Sequence, residues 1–163
     1  MKKLKASHHL DGFDIALLNL VQENNLVTTE QMADRVGLSA TACQRRLKRL
    51  RSEGVISADV SLVSPEAVGT PVTLVVLVSL EREQLDLLDG FKRRIGTYPE
   101  VTQCYYVTGD ADFILVVRVA SMEAYGDFTE RAFFGDKNVK SFHTYATMQT
   151  VKFATKFHIA DER

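Results

Sequence analysis

The sequence predicts an α+β protein in two modules: three helices with a wing, then a β-α-β-β-α-β alternation. Three observations carry that expectation. Residues 28–54, TTEQMADRVGLSATACQRRLKRLRSEG, read as two short helices joined by a tight turn. Val72 to Leu80, VTLVVLVSL, is a β-branched run long enough for a buried strand. Beyond it, strand-like and helix-like patterns follow in the order of a ferredoxin-like split unit.

In the first module, Phe13, Ile15, Leu17, Leu18 and Val21 recur at helical spacing and give a first amphipathic helix, with Asp11 or Asp14 near its start. Thr28 with Gln31 has the spacing of a capping box, and Met32, Ala33 and Val36 share one face of the helix that follows. Gly37 supplies a turn, Ser39 caps a second helix, and Gly54 stops it. On that helix Cys43, Leu47 and Leu50 make an inward stripe. Thr41, Gln44, Arg45, Arg46, Lys48, Arg49 and Arg51 occupy the other faces. Five basic residues and no acidic one lie between 45 and 51, so no i,i+4 ion pair offsets the charge. A buried stripe opposite a basic, amide-bearing face suits a helix lying in a DNA major groove. Val55-Ile56 and the alternating Val60, Leu62 stretch suggest a short β wing. The expected module is a winged helix-turn-helix over residues 1–63.

Residues 64–71, SPEAVGTP, hold two of the three prolines and read as a linker. The ferredoxin-like module then covers 72–163. Leu85, Leu88, Phe91 and Ile95 mark its first helix, and Val101 to Thr108 a second strand. The TGDAD turn leads into Phe113 to Val119. Ser121 caps a helix with Met122, Tyr125, Phe128 and Ala132 inward, and Phe142 to Phe153 is the expected last strand. The strands are apolar at nearly every position, so the sheet face without helices is expected to pack against another subunit.

Composition bounds the function classes. Residues 1–60 carry nine Lys/Arg against seven Asp/Glu, and residues 61–163 carry eleven against fourteen, within a formal net charge of −1. A basic front and an acidic back fit a DNA module joined to one with a different partner. Cys43 and Cys104 are too few for a disulfide framework or zinc site; Cys43 suits the helix core. His8, His9, His143 and His158 show no metal-ligand spacing, and no nucleophile elbow or phosphate-cradling loop occurs. No catalytic residue, metal or cofactor is expected, and the chain is not read as an enzyme. MKKLKASHHL is followed by no apolar run of leader length, so a cytoplasmic protein without a membrane segment is expected.

On the second helix of the pair, Ser39 and the first amides suit phosphate anchoring. Thr41, Gln44 and Arg45 are placed for base edges; Lys48, Arg49 and Arg51 suit phosphates. Arg46 flanks the buried stripe and is either structural or DNA-facing.

The two-module order resembles the leucine-responsive/asparagine-operon regulator (Lrp/AsnC, feast/famine) family over nearly the whole chain. Leu10-Asp11-Gly12-Phe13-Asp14 is similar to the family's opening L-D-x-x-D, and residues 36–56, VGLSATACQRRLKRLRSEGVI, to its helix-turn-helix run. VTGDADF, 107–113, resembles its G-x-x-D-[YF] turn, and Thr144 to Lys152 its T-x-x-x-M-x-x-V-K strand. The resemblance implies a transcription regulator binding double-stranded DNA, built of homodimers assembled into octamers or similar forms. It also implies an amino-acid effector beside the G-x-x-D turn, which points to Thr108, Gly109, Asp110 and Asp112, with Thr144 on the last strand. Phe142 stands where the family commonly has threonine, adding bulk to that site. In this reading Asp110 or Asp112 holds the α-ammonium and amides near Gly109 take the carboxylate. The alternative is that Gly-Asp is ordinary hairpin chemistry. Two other function classes stay open: a ligand-binding or assembly protein of amino-acid metabolism without specific DNA binding, and an architectural DNA-binding protein without effector.

Overall fold

The computed structural model describes residues 9–159. The lysine-rich opening, residues 1–8, lies outside the described residues. The described residues gather into two compact units, 9–61 together with 152–159, and 62–151.

The first unit is built from α1 (Gly12–Glu23), α2 (Thr29–Val36) and α3 (Ala40–Ser52). Each start is fixed by a short polar side chain. Asp11 and Asp14 form a reciprocal capping box on α1, Thr28 and Gln31 form another on α2, and the Ser39 hydroxyl accepts from the Ala42 N–H. Gly37 ends α2 with φ +75°, the left-handed geometry that lets the chain turn within two residues into α3. Leu17, Met32, Cys43 and Leu47 form the shared core, flanked by Leu20, Val21, Val27, Ala33, Val36, Leu38 and Ile56.

Two expectations change here. Phe13, read as an inward residue of α1, is 43% exposed, and its ring lies under the Arg46 guanidinium at 5.5 Å. The β wing is not formed as a strand. Residues 57–64 have no regular secondary structure, and Val60, Leu62 and Val63 are exposed. A strand needs a ladder partner, and the first unit holds no other strand among its described residues.

The second unit runs β1 (Val72–Leu80), α4 (Leu85–Ile95), β2 (Val101–Tyr106), β3 (Phe113–Val119), α5 (Met122–Thr129), a π-helical turn (Glu130–Phe134) and β4 (Val139–Ala146). The strands form one antiparallel sheet in the order β2-β3-β1-β4. The expected linker residues form a hydrogen-bonded turn, in which the Thr70 N–H donates to the Pro65 carbonyl at 2.8 Å. One sheet face supplies Leu74, Val76, Val78, Phe113, Leu115 and Val117 to a core shared with Leu88, Phe91, Ile95, Phe128 and Phe133 from the helices. The opposite face presents Val75, Leu77, Ile114 and Val116, all only half-buried.

The last strand is shorter than expected. It ends at Ala146 opposite Leu74, and the Thr147 N–H donates to the Thr73 carbonyl just before β1 runs out. Residues 147–158 therefore leave the sheet. Part of the tail rests on α1 instead: the Gln22 amide exchanges hydrogen bonds with the backbone of Phe157, and Lys156 pairs with Glu23.

Phe113 touches Phe91 at 4.6 Å between ring centroids and is fully buried. Phe113→Ala is expected to destabilise the protein by about 3–5 kcal/mol, read as a lower urea midpoint with little change in m-value.

Candidate nucleic-acid interface and effector site

The inward stripe of α3 forms as its periodicity requires: Cys43, Leu47 and Leu50 are buried, with 0%, 4% and 0% exposure. Burying that stripe turns Thr41, Gln44, Arg45 and Lys48 to solvent, and all four are exposed. Arg45 and Lys48 have no acidic partner among the described residues. Ser39 holds the N-terminus through its hydroxyl at 3.2 Å from the Ala42 amide. Gln44, Leu47, Lys48 and Arg51 line a shallow open groove with Thr29 from α2.

The other three basic side chains of α3 are held within the chain. Asp14, 1% exposed, accepts from Arg46 Nη1 at 2.9 Å and from Arg49 Nη2. Asp11 also accepts from Arg46 Nη1, at 2.7 Å. Arg51 makes a two-pronged ion pair with Asp59, at 2.8 and 3.1 Å. Arg46 is thus structural in this chain, and Arg49 and Arg51, assigned to phosphates by sequence, already have carboxylate partners. From the sequence, Asp11 and Asp14 stand out only as acidic residues near the start of the first helix and as part of the L-D-x-x-D stretch. Their i,i+3 spacing places both near the start of α1, but their arginine partners lie 32 to 35 residues away and leave no local signal.

Burial works against the charge on Asp11. The Asp14 amide and the Arg46 guanidinium outweigh it and hold the carboxyl below its ordinary 3.8. The hydrogen bonds that Arg46 donates to Asp11 and then to Asp14 raise it further into the charged range. A hydrogen bond from Arg51 likewise lowers Asp59.

The effector candidates fall into two groups, with β1 between them. Thr108, Gly109, Asp110 and Asp112 lie on the β2-β3 hairpin, where Gly109 has φ +137° and needs the freedom of glycine. The Asp112 carboxylate accepts from the Leu80 N–H at 2.6 Å, and its backbone N–H donates to Val78. The Ser79 hydroxyl donates to the Asp110 carbonyl at 3.2 Å, leaving the Asp110 carboxylate without a partner among the described residues. Across β1, Phe142 pairs with Val78 and Thr144 with Val76. The Thr144 hydroxyl bonds the Tyr125 hydroxyl at 2.5 Å, and the Phe142 ring packs on Phe133 and Phe134 at 4.7 and 5.7 Å. Tyr125, Phe133 and Phe134 were not foreseen as neighbours of this site. Among the described residues no group of three His, Cys, Asp or Glu is placed to hold a metal, and no helix is long and apolar enough to cross a membrane.

Comparison with known proteins agrees with this arrangement at both ends of the chain. Residues 10–57 match the family model of a winged helix-turn-helix DNA-binding domain, and residues 73–157 that of the Lrp/AsnC ligand binding domain. An uncharacterized HTH-type transcriptional regulator of Sinorhizobium fredii is 60% identical over 143 residues, 88% of this chain and 85% of that protein. The crystal structure of an AsnC family transcriptional regulator from Agrobacterium tumefaciens superimposes with a TM-score of 0.86. It is 30% identical and covers 91% of this chain and 96% of its own. A Neisseria meningitidis transcriptional regulator in complex with L-Met gives a TM-score of 0.85 at 30% identity, with the same coverage.

Asp11 and Asp59 set the sign of one pH effect. Both carboxyls lie below their ordinary 3.8, so their stabilisation is complete at neutral pH and is lost as pH falls below that value. Thermal melts of the full chain are expected to show a lower Tm at pH 3 than at pH 6, with a smaller drop in Asp11→Asn.

Proposed function

The chain belongs to the Lrp/AsnC family of helix-turn-helix transcriptional regulators, and on that premise we propose that it binds specific operator sequences under the control of an amino acid. The observation that carries the DNA reading is the outer face of α3. There Thr41, Gln44, Arg45 and Lys48 stand exposed beside an anchored N-terminus. Gln44 suits the bidentate edge of adenine and Arg45 that of guanine. Ser39, the first amides of α3 and Lys48 suit phosphates. Arg49 and Arg51 reach phosphates only by sharing or leaving Asp14 and Asp59.

Residues 1–63 act as the DNA module, 64–71 as the linker, and 72–163 as the effector and assembly module, with the tail returning to α1. The half-buried sheet face of Val75, Leu77, Ile114 and Val116 supports packing against a second copy. A homodimer places two α3 helices on half-sites about 34 Å apart, or a multiple of it, and dimers join into octamers or similar forms. A regulator of this kind works in the cytoplasm and performs no catalysis.

The effector reading rests on the two residue groups flanking β1. Asp112 is committed to Leu80, so Asp110 is the carboxylate available for an ammonium group, with amides near Gly109 for the carboxylate. Thr108 lies beside them, and Phe142 and Thr144 belong to the second group. Bringing both groups round one ligand calls for assembled chains. The neighbour solved with L-Met supports an amino acid as the ligand class.

Selection from fragmented genomic DNA, with and without an amino-acid mixture, is expected to return a short set of sites with effector-dependent recovery. Gln44→Ala and Arg45→Ala are each expected to cost about 1–3 kcal/mol on the selected site and little on random DNA. Equal losses on both DNAs contradict base reading. Asp110→Ala is expected to abolish the calorimetric signal of the effector found in that selection while leaving operator affinity without effector unchanged; undiminished heat removes Asp110 from the site.

A further inference from the structure

The acidic start of α1 does more than cap a helix. It holds two of the five cations that α3 carries between 45 and 51. Asp14 is buried and accepts from both Arg46 and Arg49; Asp11 takes a second bond from Arg46; and the Phe13 ring lies under the Arg46 guanidinium. Phosphate contacts are the sequence-blind part of DNA binding, and each adds to the salt dependence. A cation tied to a buried carboxylate is withdrawn from that part, because moving it to a phosphate leaves the carboxylate short of a partner.

We propose that Asp11 and Asp14 are specificity-determining residues of this regulator: by retaining Arg46 and Arg49 they limit non-specific affinity and leave the discriminating contacts to Thr41, Gln44 and Arg45. The proposal rests on the reading that the outer face of α3 meets the duplex. Asp14 is a positioning residue, acting through the two arginines. The geometry gives it no route to the DNA of its own, since it lies beneath both guanidinium groups.

The test uses the full chain and a random-sequence duplex, with affinity measured between 50 and 200 mM salt. Each added phosphate contact steepens the log–log salt slope by about 0.9, or about 3.5-fold in affinity across that range. Asp14→Asn frees Arg49 and part of the hold on Arg46. It is expected to steepen the slope by about 0.9, and Asp11→Asn/Asp14→Asn by about 1.8. Asparagine keeps the cap at position 11, since it is as good an N-cap as aspartate. A merely structural Asp14 lowers Tm on substitution and leaves the slope alone, and that result overturns the proposal. If Asp14→Asn does not fold, Arg46→Met and Arg49→Met decide. Both are expected to leave the wild-type slope unchanged, whereas Lys48→Met flattens it by about 0.9. Flattening by Arg46→Met or Arg49→Met equal to that of Lys48→Met shows the arginines already on phosphates and overturns the restraint. No flattening by Lys48→Met instead removes the reading of the α3 outer face.

Discussion

A carboxylate withdrawn from water must find partners, and the one at Asp14 organises the DNA-facing half of this protein. It closes a reciprocal cap with Asp11 on α1 and takes guanidinium bonds from two turns of α3. The roll of α3 about its axis is thereby set twice: from beneath by Cys43, Leu47 and Leu50, and from the flank by Asp14. Apolar packing alone tolerates some sliding. Directed hydrogen bonds to a buried acceptor do not, because a small rotation leaves a charge unpaired. What remains exposed on α3 is the face that neither constraint uses.

The second unit follows the same rule. Most polar groups near the expected effector site are satisfied within the chain: Asp112 by the Leu80 amide, Thr144 by Tyr125, and the Asp110 carbonyl by Ser79. These bonds pin the β2-β3 hairpin to β1 and fix β4 against α5, so the two groups of candidate residues are rigidly spaced on either side of one strand. The Asp110 carboxylate is the acidic group left open. Phe142, stacked on Phe133 and Phe134, gives the β4 side an aromatic edge. That edge bears on which side chains an amino-acid ligand can bring there.

Local chemistry made the helices legible. Caps at Thr28 and Ser39, the positive φ of Gly37 and the spacing of Cys43, Leu47 and Leu50 all lie within one or two turns of what they determine. The succession of strands and helices was legible too, since β1 and β3 carry continuous apolar runs. What escaped depends on distant partners. The apolar alternation at 60–63 looks like a strand but has no ladder to join, and β4 stops where β1 stops, not where its own pattern ends. Phe13 has an inward spacing, yet its ring serves as a platform for Arg46. Arg49 and Arg51 read as free cations because their acidic partners stand elsewhere in the sequence. A list of charges shows how many cations a helix has, while only the fold shows how many are already engaged.

Determining the structure of the protein bound to a short duplex carrying its selected site tests the central claim most directly. Arg46 and Arg49 are expected to remain bonded to Asp14, with Gln44 and Arg45 at base edges and Lys48 beside a phosphate. A complex in which Asp14 has lost both arginines to the DNA backbone would contradict it.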